Sequence, residues 1–159
     1  MRIVGVRALS EPNIYDDSSG VAIGTELGSP PLAGQPFAVR GMPAAGRKWV
    51  YVLRTGQIPD ELIPAHGRAL SGAFDHYVCT NLARLPRPDP QAVPGLLRDG
   101  ILAGGVAADA IVCIAGEEEA LRYLLGEARP GDLVVVNTAE LDSATALIES
   151  FDASRAGPA

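Results

Sequence analysis

Few residues in this chain have the type and spacing to do chemistry. There are two histidines and two cysteines. His66 falls four residues after Leu62 on the apolar side of a helical pattern, the place of a packed core or boundary histidine. His76 opens a strand-like run beside Asp75 and is expected to be exposed. Cys79 and Cys113 lie inside the apolar runs "DHYVCT" and "DAIVCIA", where buried, inert thiols are expected. If those two strands are neighbours, the sulfurs come close. Two cysteines make neither a disulfide framework nor a zinc quartet. No GxxxxGK[ST] or GxGxxG loop is present, and Gly104–Gly105 follow a helix instead of leading a strand into one. The expectation is therefore no catalytic residue, no metal ligand and no cofactor.

What remains are hydrogen-bonding groups at the points where strands give way to helices. These are Thr55, Gly56 and Gln57, then Thr80 and Asn81, then Glu117 after Gly116, and finally Asn137 and Thr138. A doubly wound sheet binds ligands beyond the carboxyl ends of its strands, so these residues are the candidate ligand-binding set. They comprise neutral donors and acceptors with one carboxylate. Such a set can hold a polar ligand but supplies no general base, nucleophile or metal site. The commoner role for such residues is to cap helices and satisfy loop backbone. Glu117 to Glu119 open a helix, where carboxylates suit the positive end of its dipole. Trp49 and Tyr51 share one face of a strand and are expected in a core or an interface.

The elements that must position these residues are legible in the last two-thirds of the chain. "KWVYVLR" (48–54), "DHYVCT" (75–80), "DAIVCIA" (109–115) and "DLVVVN" (132–137) read as strands. Between them, apolar residues recur at helical spacing in "TGQIPDELIPAHGRALSGA", with Leu62, His66, Ala69, Leu70 and Ala73 on one face and Pro59 in a first turn. "QAVPGLLRDGILAGG" forms a second helix stopped by glycine, with Pro94 and Gly95 able to delay its start. Residues 117–128 form a third, with Ala120, Leu121, Leu124, Leu125 and Ala128 on one face and Pro130–Gly131 as its breaker. "ELDSATALIESF" (140–151) forms a fourth. Alternating strands and helices imply a three-layer, Rossmann-like α/β fold: a mostly parallel sheet with helices on both faces. "RIVGVRAL" (2–9) and "GVAIGTEL" (20–27) read as an added N-terminal β-hairpin, because the turn-rich segment joining them has no helical period. The expected organisation is an arm at 1–28, a Pro- and Gly-rich linker at 29–46, the α/β domain at 47–151 and a frayed tail at 152–159.

The 159 residues are 47% hydrophobic and 20% charged, enough for one packed domain. A net charge of -6 argues against nucleic acid, whose binding rests on clustered Lys and Arg. No run approaches the roughly 20 apolar residues of a membrane span, and the N-terminus lacks a signal-peptide pattern. Neither nucleic acid nor membrane is an expected partner, and the expected location is cytoplasmic.

The run "FDHYVCTN…VPGLLRDGILAGGVAADAIVCIAGEEEALRYLLGEARPGDLVVV" resembles the C-terminal domain of Mur-type peptide ligases, in particular the cyanophycin synthetase branch. "VRALSEPNIY" separately resembles the opening of cyanophycin synthetase chains. The resemblance implies a truncated relative of enzymes that join amino acids by ATP-dependent amide formation, without their ATP-grasp and central domains. It also exposes departures. The family's Asp-Tyr-x-His-Asn motif is absent before "KWVYVL", and its Gly-Asp-Arg loop stands here as Gly56, Gln57 and Ile58. Arg84 and Arg87 are remnants at most of a more charged loop. Scaffold residues are kept while charges that would meet nucleotide are replaced. The expected function is a non-catalytic, ligase-derived module that binds a protein partner such as a full-length ligase, or self-associates as a homo-oligomer through its N-terminal arm. The alternatives are an accessory subunit completing an ATP-dependent acid–amino-acid ligase site, and a small-molecule binder at the strand ends.

Overall fold

A computed structural model describes the backbone at residues 2–7, 21–25, 44–54, 59–81, 88–138 and 141–156, and side chains at 44–53, 59–81, 88–136, 138 and 142–151. The described strands are β1 (Arg2–Arg7), β2 (Val21–Thr25), β3 (Lys48–Arg54), β4 (His76–Asn81), β5 (Ile111–Cys113) and β6 (Leu133–Thr138). The helices are α1 (Ile63–Leu70), α2 (Ala92–Ala103), α3 (Glu117–Glu127) and α4 (Leu141–Ala156). All six strands join one parallel sheet in the order β2-β1-β6-β3-β4-β5.

Strand alternation divides the core between two faces. Val50, Val52, Tyr77, Cys79, Leu133 and Val135 meet α1 and α2 on one side. Trp49, Tyr51, Val78, Val134 and Val136 meet α3 and α4 on the other. The chain steps outward from β3 through β4 to β5, then returns through α3 to β6 on the far side of β3. With crossovers of one hand, reversing the direction of travel must move the helices to the opposite face, which is the arrangement found. The reversal places a topological switch point between β3 and β6.

The expected hairpin is corrected. β1 and β2 run parallel, and β1 pairs along its length with β6, from Arg2↔Leu133 to Arg7↔Thr138. A parallel pair needs a crossover of a dozen or more residues, and segment 8–20 is long enough. The turn residues in that segment suggested a tight reversal, but turn composition does not set strand direction. The first strands thus belong to this chain's own sheet and are not an arm free to reach a neighbour. Removing residues 1–28 bares the backbone edge of β6, so the truncated chain is expected to melt lower and aggregate. An unchanged melting temperature on a truncated monomer would contradict this pairing.

Smaller differences follow the same logic. A 3-10 turn at Asp60–Leu62 precedes α1 and shifts its phase, so Ile63 is buried while Leu62 is 56% exposed. Pro94 does not delay α2, because a first-turn residue has no N–H obligation inside the helix. β5 is shorter than expected because a 3-10 turn occupies Ala108–Ala110. α4 continues to Ala156, beyond the expected tail boundary. Most of the expected linker lies outside the described residues.

One polar cluster fastens the amino-terminal ends of β3 and β6. Asp132, 3% exposed, accepts hydrogen bonds from Arg47 N–H (2.8 Å), Arg129 N–H (3.0 Å), Trp49 Nε1–H (3.1 Å) and Arg47 Nη2 (2.9 Å). The Arg47 guanidinium carbon lies 4.9 Å from the Trp49 ring centre, and His76 stacks on that ring at 4.2 Å. His76 is therefore half-buried against Trp49, not simply exposed.

Candidate functional site

The carboxyl ends of β3 and β6 are the end of the sheet away from Asp132. A cleft of about 410 Å³ opens there between α3 and α4. Its floor is Tyr51 and Val136, its walls are Glu117, Glu118, Leu121, Ala144 and Leu147, and Thr138 sits at its strand end.

The floor is fixed by hydrogen bonds that join β3 and β4 to the turn before α3. Tyr51 is buried, and its hydroxyl donates to the Glu117 carbonyl at 3.3 Å. Thr80, fully buried on β4, can turn its one hydroxyl hydrogen to the Ala115 carbonyl at 3.5 Å or to the Tyr51 oxygen. Tyr51 and Thr80 thereby tie β3 and β4 to the turn that starts α3. Burial foremost, then the negative charge of Glu117, raises the Tyr51 phenol far above its usual range, against a smaller opposing effect of the Thr80 bond. Its proton is therefore held at every physiological pH. That proton is the one donated to the Glu117 carbonyl.

The candidate residues divide between the two faces. Glu117 and Thr138 line the cleft, and Thr80 supports its floor. Asn81 follows Tyr77 and Cys79 on the alternating face toward α1 and α2, so it does not share the cleft. It is 4% exposed, and its Oδ1 has no hydrogen-bond partner among the described residues. Asn137 lies on β6 with its side chain outside the described residues, and Thr55, Gly56 and Gln57 lie outside them altogether, as do Arg84 and Arg87.

Tyr51 lies in the core, as expected of its strand face, and also lines the cleft. The available signal was a tyrosine near the carboxyl end of a central strand, where a phenol reaches the next strand-to-helix turn. The glutamates do not cap α3 through their side chains: Gly116 occupies the cap position, and Glu118 instead pairs with Arg122 one turn on at 2.8 Å. His66 is buried in α1, as expected of a core histidine.

The electrostatics of the cleft are one-sided. Its lining includes two glutamates and, among the described residues, no lysine or arginine. The amino-terminal N–H groups of α3 attract anions, but carboxylates on its first turn occupy that field. Among the described residues, no group of three or more His, Cys, Asp or Glu side chains is placed to hold a metal ion. No described helix is long and apolar enough to cross a membrane.

No protein-family model and no curated protein sequence matches the chain. Among solved structures, the chain is similar to that of a UDP-N-acetylmuramoyl-L-alanyl-D-glutamate–2,6-diaminopimelate ligase, at a TM-score of 0.62 and 15% identity. The match covers 77% of this chain and 28% of that one, so this chain spans under a third of that protein's length. The chain has a Mur-ligase-like α/β fold.

Proposed function

We propose that this chain is a ligase-derived accessory module, of cyanophycin synthetase or related Mur type, that carries out no phosphoryl transfer of its own and acts through a protein contact. The carrying observation is the cleft at the switch point, lined by Glu117 and by Glu118 in its pair with Arg122, with no lysine or arginine in the lining itself among the described residues. ATP-dependent amide formation passes through phosphoryl transfer, which needs positive charge held against the phosphate oxygens. Carboxylates in that place repel a nucleotide. The contact is with a larger ligase chain or with a second copy.

The test is phosphate release from ATP with magnesium and a mixture of amino acids, with sedimentation of the chain alone run beside it. No release above the uncatalysed rate is expected. Turnover that tracks the purified chain would overturn the reading. A sedimentation mass above the 16.5 kDa of one chain identifies the second copy as the contact.

The same two glutamates favour one further reading: a small cationic or amine ligand bound in the cleft. Replacing both by glutamine would then weaken binding of a simple diamine, while leaving a protein contact elsewhere untouched.

A further inference from the structure

Cys79 and Cys113 are opposite each other in register on the parallel strands β4 and β5. Adjacent strands lie ~4.8 Å apart, which puts the two Cα atoms within the range that a disulfide spans. The Cys79 thiol donates toward the Cys113 sulfur, and the Cys113 thiol in turn donates to the Pro94 carbonyl at 3.4 Å. Cys79 is buried whereas Cys113 is only half-buried, so Cys113 is the more accessible residue of the pair. β5 is three residues long and, among the described strands, ends the sheet bonded to β4 alone, so it can shift slightly as a bond closes.

We propose that Cys79 and Cys113 are a dithiol that a peroxide converts to an intrachain disulfide, fastening the edge strand β5 to β4. Cys113 is the sulfur that reacts first. The hydrogen bond from Cys79 favours its thiolate, with Arg98 acting in the same direction against burial and Asp99. The Cys113 sulfur attacks one peroxide oxygen, the O–O bond breaks, and the leaving hydroxide takes up a proton to depart as water. The Cys79 sulfur then attacks the resulting sulfenic sulfur, the S–O bond breaks, and the hydroxyl leaves as a second water with the Cys79 proton. Two thiols lose two electrons and one peroxide gains them.

The experiment uses the full chain, treated with a small excess of hydrogen peroxide, then unfolded in urea so that buried Cys79 can react, and labelled with a maleimide. The expected result is a monomer lighter by two hydrogens, both cysteines refractory to label, a linked 79–113 peptide on digestion, and full recovery of labelling after dithiothreitol. The oxidised chain should also melt higher by about 5 °C. In Cys79→Ala, Cys113 has no partner and should gather oxygen adducts at the same peroxide dose. Oxygen adducts on Cys113 of the unaltered chain with Cys79 still free, a cross-linked dimer, or an unchanged dithiol would each overturn the proposal. So would protection of Cys113 in Cys79→Ala.

Discussion

Asp132→Asn is expected to cost about 3 kcal/mol of folding stability, because it removes the charge that Arg47 faces and leaves a buried amide in a site built of donors. Four hydrogen bonds converge on this carboxylate, two from backbone N–H groups and two from side chains. An asparagine can turn only its oxygen to that ring of donors, so its NH2 group must oppose another N–H. The effect carries a pH signature. Burial pushes the carboxyl up, but bonds from the Arg129 and Arg47 N–H groups and the Arg47 guanidinium outweigh it, and the net position is below the usual carboxylate range. A depressed folded pKa stabilises the fold above the unfolded value, near pH 4, and that contribution is lost as pH falls through the folded value. The gap between the native chain and Asp132→Asn should therefore be full at neutral pH and narrow below about pH 4. Urea unfolding followed by emission of Trp49, the chain's single tryptophan, measures both quantities. A pH-independent gap would show that Asp132 does not act as an ion in the folded chain.

Gly100→Ala should destabilise the chain by about 2 kcal/mol, although alanine is the better helix former. Gly100 of α2 faces the backbone of Pro64 in α1, and a Cβ built there overlaps the Pro64 carbonyl. Gly67 of α1 meets the Leu97 carbonyl of α2 in the same way. The two helices pack backbone to backbone through these positions, and Ser71 adds a hydrogen bond to the Ile101 carbonyl at 3.2 Å. A Cβ against a carbonyl cannot be relieved by rotating a side chain. The helices must separate, and the cluster of Ile63, Leu70, Leu97 and Ile101 loosens with them. Gly95→Ala is the control, since its Cβ meets nothing within 4 Å, and it should be neutral or stabilising. Equal stabilities for the two variants would refute close packing at Gly100.

The contrast between these predictions and the opening sequence shows where a chain's pattern is informative. α3 and β6 could be read directly, because Ala120, Leu121, Leu124 and Leu125 repeat at helical spacing and four apolar residues follow the turn. The left-handed backbone of Gly131 supplies that turn, at φ 94°. Period and punctuation are local signals, and they identified local elements. The partners of Gly67, Gly100 and Asp132 are distant in sequence, so no window contains the reason for them. Asp132 looked like the first residue of a strand. The direction of β1 and β2 was hidden for a related cause: both strands were visible, but their direction follows from the pairing of β1 with β6, more than a hundred residues away in sequence. At the strand ends, Glu117 and Thr138 share one cleft with Thr80 beneath it, while alternation, which a list of strand ends does not contain, sends Asn81 to the other face.

A strand-end crevice lined by Glu117 and Glu118 on this Mur-ligase-like fold should not hold nucleotide. Amide chemical-shift mapping of the full chain during titration with ATP and magnesium tests it most directly. The expected result is no saturable movement at Tyr51, Thr80, Glu117, Thr138 or the first turn of α4, up to millimolar nucleotide. Saturable shifts at those amides with a micromolar midpoint would contradict the claim and make the crevice a nucleotide site.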